Sequence, residues 1–288
     1  MSDPVPAIAE AAASGELATI FADIRHVLGV GVVNLIWRHL AVIPGALPWA
    51  WGMLRPLHLD ATIAAEAKAL HEDLDLPQLP AFPPEALSAA GLLGDDIIAI
   101  RDILAACHKT NAMAIIALSA LLSRLDDELS TLYPASAQDG ALRREPQPAI
   151  SLARLLNLVD LSSATAELVV ILNRLGTRRA DPILASMYWY LAHWPLYLAL
   201  AWTMIAPLDA DGRLGRSIAD AVAKARTRAG QVAVRLHIAP SGPLESANRI
   251  ANRAAIDPFT GDVIGKTVMI CAVLRAASGG PSRCATLT

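Results

Sequence analysis

Apolar residues recur along this chain mainly at three- and four-residue spacing, and no segment sustains alternation at every second position. Leu17, Ile20, Phe21, Ile24, Val27 and Leu28 form one such stripe, the pattern of a helix buried along one face. It predicts a helix from about Ser14 to Leu28, broken by Gly29 and Gly31. Ile36–Leu57 reads as helical on both sides of Pro44-Gly45, a pair that kinks or interrupts a helix. Asp60 is placed to cap a helix over Ala61–Glu72. Pro77–Pro84 is a proline-rich loop, and Asp95–Cys107 and Lys109–Leu129 give two helical patterns that can run together. Further helices are expected at Ile150–Leu158, Ser163–Leu175, Ile183–Met204, Arg216–Gln231 and Val263–Ala276. The expected fold class is all-α.

One stretch, Pro182–Leu208, contains no Asp, Glu, Lys or Arg, and an earlier version of it spans Ile36–Leu57. At an offset of 151 positions Leu40 falls on Leu191, Ala41 on Ala192, Pro44 on Pro195, Trp51 on Trp202, Met53 on Met204 and Pro56 on Pro207. The register extends back to Glu16-Leu17 on Glu167-Leu168, and Lys109-Thr110 resembles Lys266-Thr267 further on. Two copies are too few for an open solenoid. The expected architecture is two pseudo-symmetric helical repeats packed as an internal pseudo-dimer, with the active site between them. The first repeat is placed over residues 1–132 and the second over 149–288. The polar, proline-bearing segment 133–148 (YPASAQDGALRREPQP) is the linker, and Ser278–Thr288 reads as a disordered tail.

Composition narrows the partners. Hydrophobic residues make up 54% of the 288 and charged residues 18%, with a net charge of −3, so there is no electrostatic footprint for nucleic acid. The uncharged stretch is long enough to raise a membrane span. Against one stand His193 and Pro195 in its middle, Asp181 and Asp209 at its ends, and Arg38, His39 and Arg55 in the duplicate. Three cysteines without a CxxC pair indicate neither a disulfide framework nor a zinc site. The start of the chain lacks a basic segment before an apolar run, so a reducing cytoplasmic compartment is expected.

Candidate chemistry has to be weighed against ordinary structure. Gly29-Val30-Gly31-Val32-Val33-Asn34 nearly matches a dinucleotide fingerprint, but Asn34 replaces the third glycine and no βαβ unit surrounds it. A helix break is the better reading. Cys107-His108 are neighbours on a helix and do not face each other, so Cys107 reads as a buried structural thiol. Asp181-Pro182 before an apolar run is the pattern of an N-cap and first-turn proline. The N-cap is the stronger reading from the residues alone, and a compatible one is a carboxylate at the mouth of the most apolar segment, suited to act as general base on water. Asn111, before a strongly apolar run, is a helix start, a core amide or a site residue. Thr62 and Glu66 share a helix face at i, i+4. All six tryptophans lie in the duplicated stretches: Trp51 and Trp202, at matching positions, are expected in the core, and others can line a pocket.

The stretches VVNLIWRHLAVIPGALPWAWGMLRPL, HKTNAM and ADPILASMYWYLAHWP resemble the group I 2-haloacid dehalogenases, the family also called halocarboxylic acid dehydrogenase, which acts on D and L substrates. The resemblance covers almost the whole chain, duplication included. It implies an all-helical protein with two pseudo-symmetric halves, a site between them, and no cofactor or metal. It implies that Asp181 activates water, that Asn111 holds that water, and that Thr62 and Glu66 contribute to catalysis. Substrate contacts are expected from Ala180, Ile183, Leu184, Tyr188, Trp37 and Asn34, with the N–H groups of Ile183 and Leu184 receiving the substrate carboxylate. The family tends to carry a Ser where this chain has Ala180. The reaction implied is hydrolysis of D- and L-2-haloalkanoic acids to 2-hydroxy acids with inversion, the partners being the haloacid and water, with a homodimer as a further option. A member that binds a small carboxylic acid without dehalogenating it is the alternative, and another hydrolytic lyase or isomerase on the scaffold is a third, because fold alone does not fix function.

Overall fold

The computed structural model describes residues 5–127, 161–177, 179–237 and 244–279. Among these the regular structure is helical and no strand is present. A 3₁₀ turn at Glu10–Ala12 precedes α1 (Gly15–Leu28), α2 (Leu35–Leu40), α3 (Ala46–Leu59), α4 (Thr62–Asp73), α5 (Pro84–Ala89) and α6 (Gly94–Asp127). Then follow α7 (Ser163–Arg174), α8 (Ser186–Leu191), α9 (Pro195–Ala210), α10 (Arg213–Ala233), α11 (Ser246–Pro258), a π turn at Phe259–Val263, and α12 (Ile264–Ala277). The linker, the helix expected at Ile150–Leu158 and the tail beyond residue 279 lie outside the described residues.

The core is built on α6 and α12. Every residue from Ala112 to Leu121 and from Ile264 to Leu274 is buried, so these stretches are covered on all sides, as a helical stretch apolar all round requires. They pack on each other, with α10 and α4 also against α6. Gly94–Leu125 is long and apolar enough to cross a membrane, but 83% of its most apolar window is buried within the fold.

The neighbours repeat. The α1–α3 contact has a counterpart in α7–α9, α3–α4 in α9–α10, and α4–α6 in α10–α12. Local details repeat at the same 151-residue offset. Ala41 N–H donates to Trp37 O and Ala192 N–H to Tyr188 O. Inside α3 and α9, Pro56 and Pro207 accept from Asp60 and Asp211 N–H at 2.9 and 3.1 Å. The residues preceding α4 and α10, Ala61 and Gly212, are both left-handed, at φ 63° and 76°.

Several expectations are corrected. Asp181-Pro182 is not a helix start: residues 182–185 are outside regular structure and α8 begins at Ser186, with Ala185, extended, as its N-cap. Nor is Ile183–Met204 one helix, because α8 ends at Leu191 and Pro195 opens α9, where its missing N–H costs nothing. Asn111 lies in the middle of α6, not at a helix start. Trp51 is buried, but Trp202 is 38% exposed. The tail is tied at its beginning, since buried Ser278 meets the Tyr197 hydroxyl at 3.0 Å and its carbonyl accepts from Arg101 at 2.7 Å. The helices α5 and α11 were not expected.

Ala61 is the one non-glycine residue with positive φ among the described residues, a conformation costly for a Cβ-bearing residue. Ala61→Gly should therefore stabilise the fold by about 0.5–1 kcal/mol, the relief of strain outweighing the added freedom of the unfolded chain. A denaturation midpoint at or below wild type would contradict this. The buried histidines give a second prediction. Burial lowers the pKa of His58 and of His71 to about 4 and of His108 to about 2, the last helped by the charge of His71. Each binds its proton in the unfolded chain near pH 6.5 but resists it when folded. Stability is thus complete above about pH 6.5 and falls as pH drops toward 4, by about 1.4 kcal/mol per pH unit for each proton. Unfolding free energies unchanged from about pH 7 to 4.5 would contradict the assignment.

Candidate active site

A cavity of about 30 Å³ opens beside the middle of α6, lined by residues far apart in the chain. Asn34, Leu35 and Ile36 come from the start of α2, and Leu184, Ala185, Ser186 and Met187 from the irregular arm 182–185 and the start of α8. At the 151-residue offset Asn34 pairs with Ala185, Leu35 with Ser186 and Ile36 with Met187. Asn111 of α6, Phe259 and Val263 of the π turn, and Ile264 and Thr267 of α12 complete the wall. The volume suits about two water-sized groups.

The polar groups on this wall are few and neutral. Asn34, Asn111 and Ser186 are half-buried. Thr267 is occupied, its hydroxyl donating to the Val263 carbonyl at 2.6 Å. No Asp, Glu, Lys or Arg lines the cavity, so a small anion there is held by amide and hydroxyl donors in apolar surroundings, where each hydrogen bond counts for more than in water. Among the described residues no group of three His, Cys, Asp or Glu is placed to hold a metal ion.

The arm is fixed by one amide. Asn173, in the last turn of α7 and 4% exposed, donates to the carbonyls of Pro182 and Ile183 at 3.4 and 3.2 Å. Its Oδ1 accepts from the Ala185 N–H at 3.2 Å. Lys266 of α12, fully buried, donates to the Asn173 main-chain carbonyl and to Oδ1. Burial pulls the Lys266 pKa down to about 8, against the opposing charges of Asp262 and Asp209. The arm is irregular backbone whose polar groups still need partners, and a single side chain supplies three of them.

Of the residues expected from the sequence, Asn34, Asn111 and Leu184 meet at the cavity. Ile183 is buried on the arm. Ala180 and Asp181 are exposed on its upstream end and do not line the cavity, with Asp181 three residues before Leu184. Trp37 and Tyr188, matching positions of α2 and α8, are each 1% exposed and sit in the core. Trp37 stacks edge-on against Trp51 at 5.7 Å, and the Tyr188 hydroxyl donates to the Leu172 carbonyl at 3.3 Å. Thr62 and Glu66 face α10: the Thr62 hydroxyl accepts from Arg235 at 3.1 Å, and Glu66 pairs with Arg228 at 3.1 Å. Sequence reasoning missed Ser186, Phe259, Val263, Ile264 and Thr267. The signal for Ser186 was present, since it lies one register position from the match of Asn34.

No family model matches the chain. A curated relative, the configuration-inverting 2-haloacid dehalogenase of Alcaligenes xylosoxydans xylosoxydans, is 28% identical over 237 residues, covering 78% of this chain and 77% of its own. Among solved structures, a D-2-haloacid dehalogenase mutant superposes with a TM-score of 0.75 at 17% identity, covering 95% of this chain and 96% of that one. A D-2-haloacid dehalogenase complex with L-LA gives 0.73 at 17% identity, and a mutant complex with D-2-CPA gives 0.69 at 18%, both with the same coverage. The chain thus has the all-α fold of the D-2-haloacid dehalogenases, and in sequence it is similar to a configuration-inverting 2-haloacid dehalogenase.

Proposed function

We propose that this chain is a hydrolase acting on carbon–halide bonds, a 2-haloacid dehalogenase that converts D- and L-2-haloalkanoic acids to 2-hydroxy acids with inversion. The observation that carries the reading is the cavity between matching helix starts. It is small, largely apolar, and furnished with neutral donors suited to the two oxygens of a carboxylate. The similarity to an enzyme named as a configuration-inverting 2-haloacid dehalogenase supports the same reaction class, and the wall that both halves contribute favours a site able to seat either enantiomer.

In this reading Asp181 removes a proton from water while the water oxygen attacks the α-carbon opposite the halogen. The new C–O bond forms as the carbon–halogen bond breaks, halide leaves with the bonding pair, and the configuration inverts. Asn111 orients the water, and such positioning supplies several kcal/mol of the barrier reduction. Asn34 and Ser186 hold the substrate carboxylate in place of the helix N–H groups first expected. Asp181 reaches the site from the arm: three residues of extended chain span about 10 Å at most. Thr62 and Glu66 contribute through the α4–α10 contact, and the two repeats act as halves of one site.

A second reading, a pocket that binds a small carboxylic acid without chemistry, is favoured by the exposure of Ala180 and Asp181 at the upstream end of the arm. Halide release from D- and L-2-chloropropionate separates the two. Under the leading reading the wild-type chain releases halide from both. Asp181→Asn, a change at an exposed site, keeps the circular-dichroism spectrum but loses about 10²-fold or more in kcat, and Asn111→Ala loses about tenfold or more. Saturable binding of 2-chloropropionate without halide release would establish the second reading instead.

A further inference from the structure

We propose that Asn173 and Lys266 are positioning residues, a clamp that fixes the arm Pro182–Ala185 in the geometry the reaction needs; this rests on the reading of Asp181 as the base. The downstream end of the arm walls the cavity with Leu184 and Ala185, and its upstream end carries Asp181. Whatever sets the arm therefore sets the base relative to the water held by Asn111.

The bonding pattern fits this role. An asparagine amide has two N–H donors and a carbonyl with two lone pairs. Here the donors go to the carbonyls of Pro182 and Ile183, and the oxygen takes the Ala185 N–H and the Lys266 ammonium. The opposite amide orientation would aim NH₂ at two donors and oxygen at two carbonyls, so the network permits one rotamer only. Lys266 holds Asn173 twice, through its main chain and its side chain.

Stability alone is a poor explanation for Lys266. Its ammonium is fully buried and makes no ion pair within 4 Å among the described residues. Taking a charge out of water is costly, and an apolar side chain of similar volume generally serves a core at least as well. A buried cation retained beneath an amide that grips an irregular arm is what fixing one backbone geometry calls for. The clamp also ties α7, α12 and the arm together, so the first half's Asn111 and the second half's Asp181 share one frame through α6 and α12.

The decisive variant is Asn173→Asp in the full chain. The carboxylate keeps acceptors for Ala185 N–H and Lys266, and adds an ion pair, but has no donors for the two carbonyls. A second variant, N173L/K266M, replaces the polar pair by apolar side chains of similar size. The readouts are halide release from D- and L-2-chloropropionate, thermal melting, and hydrogen exchange across residues 182–187. Losing two hydrogen bonds to the arm should raise exchange there about tenfold or more and lower kcat about tenfold or more, with KM nearly unchanged. The kcat loss should appear even where melting matches wild type, which a merely structural role would not give. Wild-type exchange and kcat in a folded variant overturn the inference, as does a kcat loss that follows melting temperature across the two variants. If N173D fails to fold, N173L/K266M decides by the same criteria. If the wild-type chain releases no halide, the functional reading fails and exchange at the arm alone judges the clamp, unchanged exchange rejecting it.

Discussion

The structure depends on one constraint: the middle of α6 and most of α12 are buried all the way round and have to be covered on every side. Between Ala112 and Leu121, and between Ile264 and Leu274, there is no residue left for solvent. A helix of that kind cannot rely on one amphipathic partner. The chain meets the demand by surrounding the pair with elements of both halves, α4 and α8 on one helix, α10 on both. The cavity lies where these coverings meet, at the two helix starts that match across the repeat. Its polar wall comes from the few positions along α6, α2 and α8 where Asn or Ser takes the place of an aliphatic side chain.

That arrangement gives the site a particular chemistry. No charged side chain lines the cavity, so under the proposed function a carboxylate in it is recognised by dipoles already oriented by the fold, and the proposed base, Asp181, stands exposed on the arm outside. Separating a neutral binding wall from a solvated carboxylate avoids the cost of burying like charges together, since Asp181 and a substrate carboxylate would repel strongly in a low-dielectric pocket. The buried Lys266 is consistent with this division. It sits behind the arm, not in the wall, and acts on backbone geometry through Asn173.

Much of this was legible in the sequence. The stripe from Leu17 to Leu28, the break at Gly29 and the long run through Lys109–Leu129 placed helices close to where they are, because these signals are local and strong. The duplicate stretches located the elements that meet at the cavity. Asp181-Pro182 misled for a physical reason: the capping pattern is a local preference, and a tertiary contact, the Asn173 amide, holds Pro182, Ile183 and Ala185 in an irregular arm instead. Ser186, Phe259 and Val263 were missed because an isolated hydroxyl, or an aromatic before a π turn, carries no pattern of its own. Trp202 failed through its symmetry with Trp51, since equivalent positions in two repeats need not meet equivalent neighbours. Lys266 appeared in the sequence only as a marker of the repeat, and nothing local distinguishes a buried lysine from an exposed one.

In the proposed reaction, water placed between Asp181 and the substrate attacks carbon directly. A covalent route would instead have a carboxylate attack first and water cleave the resulting ester. A single turnover with enzyme in excess over 2-chloropropionate in ¹⁸O-water separates the two by mass spectrometry of product and protein. Direct attack predicts that the product hydroxyl carries ¹⁸O in the first turnover, that Asp181 stays unlabelled, and that each enantiomer yields product of the opposite configuration. An unlabelled first-turnover product, with ¹⁸O appearing in Asp181 afterwards, would contradict it.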